Sequence, residues 1–182
     1  MSRNVFPAGI LQPPFYDEQY PLSMVFGAMG AVVGHEFTHG FDNRGAQYDK
    51  IGNLKNWWTQ KSMENFRKRS VGLKKQYAKF PICKNSECDL HAYKKYVKDH
   101  NIKTMTLPGL SYTSDQLFFV GFAHIWCRKI QPKALIHQLL ADPHSPAIAR
   151  VILTLRNSEA FSTAFNCKKD SPMNPTIKYG VW

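Results

Sequence analysis

Apolar residues fill the run from Met24 to Phe41 almost all the way round a helical wheel, with small Gly and Ala residues interspersed. A helix that is apolar on every side is normally buried in a core. Ser23 is placed to cap its start and Gly40 to mark its end. Before it, Pro7, Pro13, Pro14 and Pro21 forbid a continuous helix and predict an extended, partly buried leading segment over residues 1–22. After it, Asp42-Asn43-Arg44-Gly45 and Asp49-Lys50-Ile51-Gly52-Asn53 make residues 42–56 turn-rich. Thr59 opens a long charged helix reaching Tyr77, and a short polar loop from Phe80 to Asp89 leads into a second charged helix, Leu90 to Asp99. Ser114 is placed to cap a helix from Asp115 to Lys129 that contains the apolar stretch Leu117–Ala123. Shorter helices are predicted at Pro132–Leu140, Pro146–Leu155 and Glu159–Phe165, with an irregular tail from Cys167. No segment alternates apolar and polar residues as a strand does, so the fold class is mainly α.

Composition agrees with one domain. The chain has 182 residues, 43% of them hydrophobic, which suits a single globular unit with a core. The formal net charge is +11, with Lys and Arg densest in Lys61–Lys79 and Lys94–Lys103. Zinc-finger spacing, RNA-binding aromatic signatures and an arginine-rich tail are all absent, so these charges read as solvated helix faces and no nucleic-acid partner is expected. No run of about 18 apolar residues occurs, so no membrane span is expected. The opening Met1-Ser2-Arg3-Asn4-Val5-Phe6-Pro7 is no signal peptide, and the chain by itself reads as soluble without an export signal. Four cysteines, Cys83, Cys88, Cys127 and Cys167, permit two disulfides without establishing either.

The chemistry lies inside the apolar helix, in His35-Glu36-Phe37-Thr38-His39. Two His residues four apart share one helix face. Two neutral imidazoles can then reach a single zinc ion at about 2.0–2.1 Å each. Glu36 sits beside that position without filling it. Zinc lowers the pKa of its bound water, and Glu36 is placed to take the proton and hand it to a leaving amine. A chance match is expected in on the order of a few chains per thousand of this length. Two His and a Glu in an apolar helix are also costly unless they act together. Asp42, one turn beyond Thr38, is either an acceptor for the second ring N–H of a ligating His or an ordinary helix-exit residue.

Several further blocks carry a resemblance. They are Val5-Phe6-Pro7-Ala8-Gly9-Ile10-Leu11-Gln12-Pro13-Pro14-Phe15, Gly34-His35-Glu36-Phe37-Thr38-His39-Gly40-Phe41-Asp42, Trp57-Trp58-Thr59 and Leu107-Pro108-Gly109-Leu110. Gln116-Leu117-Phe118-Phe119, Ile125-Trp126-Cys127, Asp142-Pro143-His144-Ser145-Pro146, Met173-Asn174-Pro175 and the closing Val181-Trp182 continue the series. In this order, across almost the whole chain, they resemble the C-terminal catalytic part of the neprilysin and endothelin-converting-enzyme family of zinc metallopeptidases. The resemblance implies a thermolysin-like (gluzincin), mainly α catalytic subdomain over 1–182, and hydrolysis of small peptides. It implies His35 and His39 as ligands of one Zn²⁺, Glu36 as general base, and His144 as the donor that stabilises the developing oxyanion. Arg150 would hold a substrate backbone carbonyl. Val32, Ile125, Trp126, Ile10 and Phe15 would form the apolar pocket for the side chain after the scissile bond. Family members are extracellular, plasma-membrane-anchored ectopeptidases.

The resemblance also has gaps. The family draws its third zinc ligand from a Glu-Asn-x-x-Asp helix, and here Tyr77-Ala78-Lys79-Phe80 passes through Pro81–Leu90 directly to Ala92-Tyr93-Lys94-Lys95-Tyr96, where the family pattern resumes. The subdomain is therefore expected to be incomplete, without that helix and without the N-terminal lid, and zinc to be weakly held or absent if the ligand is truly missing. Glu87, Asp89, Cys83, Cys88 or His91 are the substitutes within reach in sequence. Cys127 and Cys167 match family cysteines whose partners lie in the N-terminal region, and Gly72 and Tyr179 fall where many members hold a bonded pair. Loss of a covering helix should leave apolar surface exposed on the Met24–Phe41 helix. Whether the chain is an enzyme is left open between three readings: an active zinc metalloendopeptidase, an inactive peptide-binding descendant, and a shortened gene model of an active ectopeptidase.

Overall fold

Pro21 closes the leading segment and opens α1 (Leu22–Val25), which runs through a π-helical turn, Phe26–Gly30, into α2 (Ala31–His39). The computed structural model describes residues 4–79, 90–101, 105–142 and 144–181, with residues 90–92 described by their backbone only. The Phe80–Asp89 loop, with Cys83, Cys88, Glu87 and Asp89, lies outside these residues, as does the side chain of His91. Ser23 is not the cap expected from sequence. It sits inside the first turn, fully buried, and the residue in the capping position is Pro21. Gly40 follows the last helical residue, as expected.

The helix is buried unevenly. Met24, Gly27, Ala28 and Ala31 are covered, whereas Phe37 and Phe41 are 61% and 47% exposed. The covered half crosses α5 (Ser114–His124) at very short range. A Cβ at Gly27 would stand 1.9 Å from the Phe118 carbonyl oxygen, and one at Gly121 would stand 2.5 Å from that of Met24. Two glycines facing each other's backbones let the elements pack at a separation no larger residue permits. The cap of α5 is Thr113, one residue before the predicted cap. The Thr113 hydroxyl accepts from Gln116 N–H, and the Gln116 side chain accepts from Thr113 N–H, forming a capping box. The helix stops at His124 rather than Lys129.

α3 (Gln60–Lys79) turns a stripe of Met63, Phe66, Ser70, Leu73 and Tyr77 inward and leaves Lys61, Arg67, Lys68, Lys74 and Lys75 in solvent. Thr59 Oγ1 accepts from Ser62 N–H at its start, as the pattern predicts. α4 (Leu90–Asp99) returns the chain to the core, with Tyr93 buried against Phe26 and Phe118. α6 (Pro132–Ala141), α7 (Ala147–Asn157) and α8 (Glu159–Ala164) follow, and Ser158 caps α8 through Phe161 N–H.

Two apolar cores result. One joins Ala31, Tyr93, Phe118, Phe119, Phe122 and Leu155; the other joins Leu73, Tyr77, Ala149 and Leu153, with Tyr179 and Val181 of the tail laid over it. Among the described residues there is no named strand, only the isolated bridges Tyr48–Leu54 and Ser171–Asn174. No described helix is long and apolar enough to cross a membrane.

Candidate active site

The exposed end of α2 carries His35 and His39 on one face, with their Nε2 atoms 3.0 Å apart. Two ligands bound to one zinc at about 2.0–2.1 Å in a tetrahedral arrangement stand roughly 3.3 Å apart, so the pair is already close to that spacing. His39 is oriented from behind. Its Nδ1 lies 2.8 Å from Asp42 Oδ2, and a carboxylate only accepts, so Nδ1 is the donor in this contact. Asp42 is itself fixed, because its Oδ1 accepts from the backbone N–H groups of Arg44 and Gly45 at 2.7 and 2.8 Å. Gly45 makes that turn possible, since a Cβ there would lie 1.8 Å from the His39 carbonyl oxygen. Asp42 thus bonds both the turn that follows the helix and the ring of His39.

A third imidazole comes from far along the chain. His144 lies in the segment between α6 and α7, with its ring centroid 5.8 Å from that of His35 and 6.5 Å from that of His39. One ring nitrogen from each of His35, His39 and His144 lies within 4.8 Å of the others. His144 Nδ1 is 3.0 Å from Asp142 Oδ1, which also accepts from His144 N–H at 2.8 Å. Asp142 thus does for His144 what Asp42 does for His39. The sequence reading gave Asp142 no role. The available signal was an Asp two residues before a His, a spacing at which an Asp side chain bonds the backbone two residues on.

Charges shape the cluster. Burial holds the His35 pKa below the ordinary imidazole value, helped by His39, Arg150 and His144 and opposed by Glu36. A neutral imidazole is the form that binds metal. Glu36 is half-buried beside His35. Arg150 is 8% exposed, donates from Nε to the Ser145 carbonyl at 2.8 Å, and lays its guanidinium over the Trp126 ring at 4.6 Å. The buried Ser145 Oγ and Trp126 Nε1 next to it have no hydrogen-bond partner among the described residues. Ile10, Phe15, Val32 and Ile125 are half-buried and stand outside this network of polar contacts. Cys127 and Cys167 are free thiols.

A helix presenting two paired imidazoles and a Glu, with a third imidazole beside them, is a donor set that could hold a metal ion. Comparison with known proteins gives the family. A model of peptidase family M13 matches residues 2–92 and 86–181, two pieces that overlap at residues 86–92. Neprilysin-3 of Drosophila melanogaster is 43% identical over 198 aligned positions that cover all of this chain and 25% of its own length. Human endothelin-converting enzyme 1 is 42% identical and human neprilysin 41%, over 98% and 100% of the chain. Among solved structures, the open state of the zinc metalloprotease Zmp1 of Mycobacterium tuberculosis superposes with a TM-score of 0.78 at 32% identity, over 97% of this chain and 31% of that one. A Haemonchus galactose-containing glycoprotein complex superposes with a TM-score of 0.85 at 32% identity, over 97% of this chain and 33% of that one. The chain belongs to peptidase family M13, a family of zinc-dependent metallopeptidases. It spans about a quarter of the length of the curated relatives it matches.

Proposed function

We propose that this chain is the zinc-binding, catalytic segment of a metalloendopeptidase acting on small peptides. The observation that carries the reading is the pairing of His35 and His39 at 3.0 Å with Asp42 bonded to Nδ1 of His39. The donor set suits zinc: neutral imidazoles, one of them buttressed by a carboxylate, on a rigid helix.

A zinc ion bound there supplies Lewis acidity toward water and a peptide carbonyl. His35 and His39 would hold it. Glu36, one residue on from His35, receives a proton at its carboxylate and returns it to the nitrogen of the leaving amine. Arg150, stacked on Trp126 and tied by Nε to Ser145, is held as a fixed cation beside the cluster, in position to orient a substrate carbonyl. The unpartnered Ser145 Oγ and Trp126 Nε1 flank it and are suited to polar backbone atoms of a bound peptide. Ile10, Phe15, Val32 and Ile125 supply apolar surface for the side chain after the scissile bond.

The alternative is a peptide-binding descendant that does not cleave. It draws on the break in the family match at residues 86–92, beside the place where the sequence pattern omits the Glu-Asn-x-x-Asp helix. In addition, the alignment with Neprilysin-3 takes 198 positions to cover 182 residues, so that relative holds residues with no counterpart here. Cleavage of a fluorogenic peptide by zinc-loaded protein decides between the two. The proposal expects Glu36→Gln to slow cleavage by about 10²–10⁴-fold with zinc content unchanged. Zinc-loaded wild type that binds peptide but never cleaves it establishes the non-catalytic reading instead.

A further inference from the structure

We propose that the solvent face of α3 is a docking surface for a linear sulfated polysaccharide, held along a ridge of Lys61, Lys68, Lys75 and Lys79. The proposal stands apart from the zinc reading, since it uses no residue of the His35 and His39 cluster. α3 carries seven Lys and Arg residues against one carboxylate, Glu64. All seven are exposed. None of them has an ion pair among the described residues. Elsewhere on the surface Lys94, Lys95 and Lys178 each meet a carboxylate, on Asp115, Asp99 and Glu159.

Position along the helix turns these charges into a row. Residues seven apart drift only ~20° around a helix, so Lys61, Lys68 and Lys75 lie one above another, on the side away from buried Leu73 and Tyr77. Lys79 comes back to the azimuth of Lys61 about five turns on. The row spans about 27 Å, and its heptad-spaced lysines stand roughly 10 Å apart. Arg67 and Lys74, also seven apart, run beside it and widen the band. Lys75 and Lys79, four apart, repel each other, a cost that an anionic partner relieves. The choice of partner follows from what accompanies the cations. No aromatic side chain of α3 is exposed, so the ridge offers no platform for stacking bases. Its one large exposed apolar residue is Val71, 46% exposed, which is no apolar face for insertion into a bilayer. A straight row of point charges fits a thin chain that displays anionic groups along its length, and sulfated polysaccharides have that chemistry.

Binding of a labelled heparin oligosaccharide to the 182-residue chain, followed by fluorescence anisotropy across a salt series, tests the ridge. Four lysine contacts, at about 0.7 released counterions each, predict that log Kd rises with log salt with a slope of roughly 3. No binding at about 0.15 M salt, or a slope near zero, overturns the proposal. This measurement needs no variant. Lys61→Gln, Lys68→Gln and Lys75→Gln together are expected to weaken binding on the order of 100-fold, at about fivefold per cation near an anionic surface. Lys50→Gln, Lys133→Gln and Lys168→Gln remove the same charge outside α3, also from exposed positions, and should leave Kd near the wild-type value. Equal losses in the two triple variants would make net charge the cause and overturn the ridge. Far-UV circular dichroism checks that both keep the fold. A DNA duplex and vesicles of phosphatidylserine with phosphatidylcholine are the competing partners. Tighter binding of either than of the heparin oligosaccharide overturns the choice of polysaccharide.

Discussion

The ring of Tyr179 lies directly on Gly72: a Cβ at position 72 would stand 2.3 Å from Tyr179 Cδ1 and 2.6 Å from Cε1. Gly72 is in the interior of α3, where glycine costs about 1 kcal/mol against alanine in helix propensity. The ring explains why it is there. Tyr179 packs on the Leu73, Tyr77, Ala149 and Leu153 core and donates its backbone N–H to Asn157 Oδ1 at 3.0 Å, closing the tail over α3 and α7. The resemblance implies a bonded pair at these two positions in many family members. Here the space is filled by one large and one minimal residue.

Gly72→Ala should therefore destabilise the chain by about 1–3 kcal/mol, against its helix propensity, because the ring cannot move without opening the core. In a Tyr179→Ala background the same change should be neutral or stabilising. Urea unfolding of the four proteins closes the cycle. Additive effects of the two substitutions would contradict the contact.

The Gly27 and Gly121 crossing makes a second stability prediction. Alanine at either position forces a methyl into a facing carbonyl, 1.9 Å away at Gly27 and 2.5 Å at Gly121. Each variant should lose at least about 1–3 kcal/mol in urea unfolding. Since this crossing sets α2 in place, zinc affinity should fall with it. A stable Gly27→Ala protein would show that the helices do not meet this closely.

Acidification should loosen the turn behind His39. Burial raises the Asp42 pKa, but the hydrogen bonds from His39 and from Gly45 and Arg44 N–H outweigh it, and the net pKa lies below the ordinary carboxylate value. A carboxylate depressed in the folded state contributes stability that is present above its unfolded pKa, about 3.9, and is lost as pH falls through the folded value. The backbone amide signals of Arg44 and Gly45 should titrate together with a midpoint below about 3.9, followed by NMR. A midpoint at or above that value would mean that the bonds are not formed in solution.

Asp42→Asn should weaken zinc by about 10–100-fold, because the substitution removes a strong acceptor for His39 Nδ1–H without removing a metal ligand. Equal zinc affinity in wild type and variant would assign Asp42 to the turn alone.

How much of this was legible in the sequence depends on distance along the chain. His35, Glu36 and His39 share a helix, so their spacing alone predicts a common face, and Asp42 one turn on could be weighed as a partner. The helices were legible for the same local reason. Their caps were less so: Thr113 and Ser114 are adjacent hydroxyls, and only the reciprocal bond with Gln116 selects Thr113. Ser23 resembled a cap by type, yet Pro21 starts that helix and buries Ser23 inside it. The place of His144 beside His35 was legible only through the family resemblance, because residue spacing cannot show an approach that joins positions far apart in the chain through a core shared by α2, α5 and α7. The close approach of Gly27 to Phe118 and of Gly121 to Met24 was hidden likewise, since a small residue in an apolar run does not declare which backbone it faces.

Zinc content of the purified 182-residue chain, measured by atomic absorption after dialysis against trace-metal-free buffer and re-addition of one equivalent, tests the central claim most directly. The account predicts one zinc per chain in the wild type and none retained by His35→Ala. Wild-type protein that is folded and retains no zinc would contradict it.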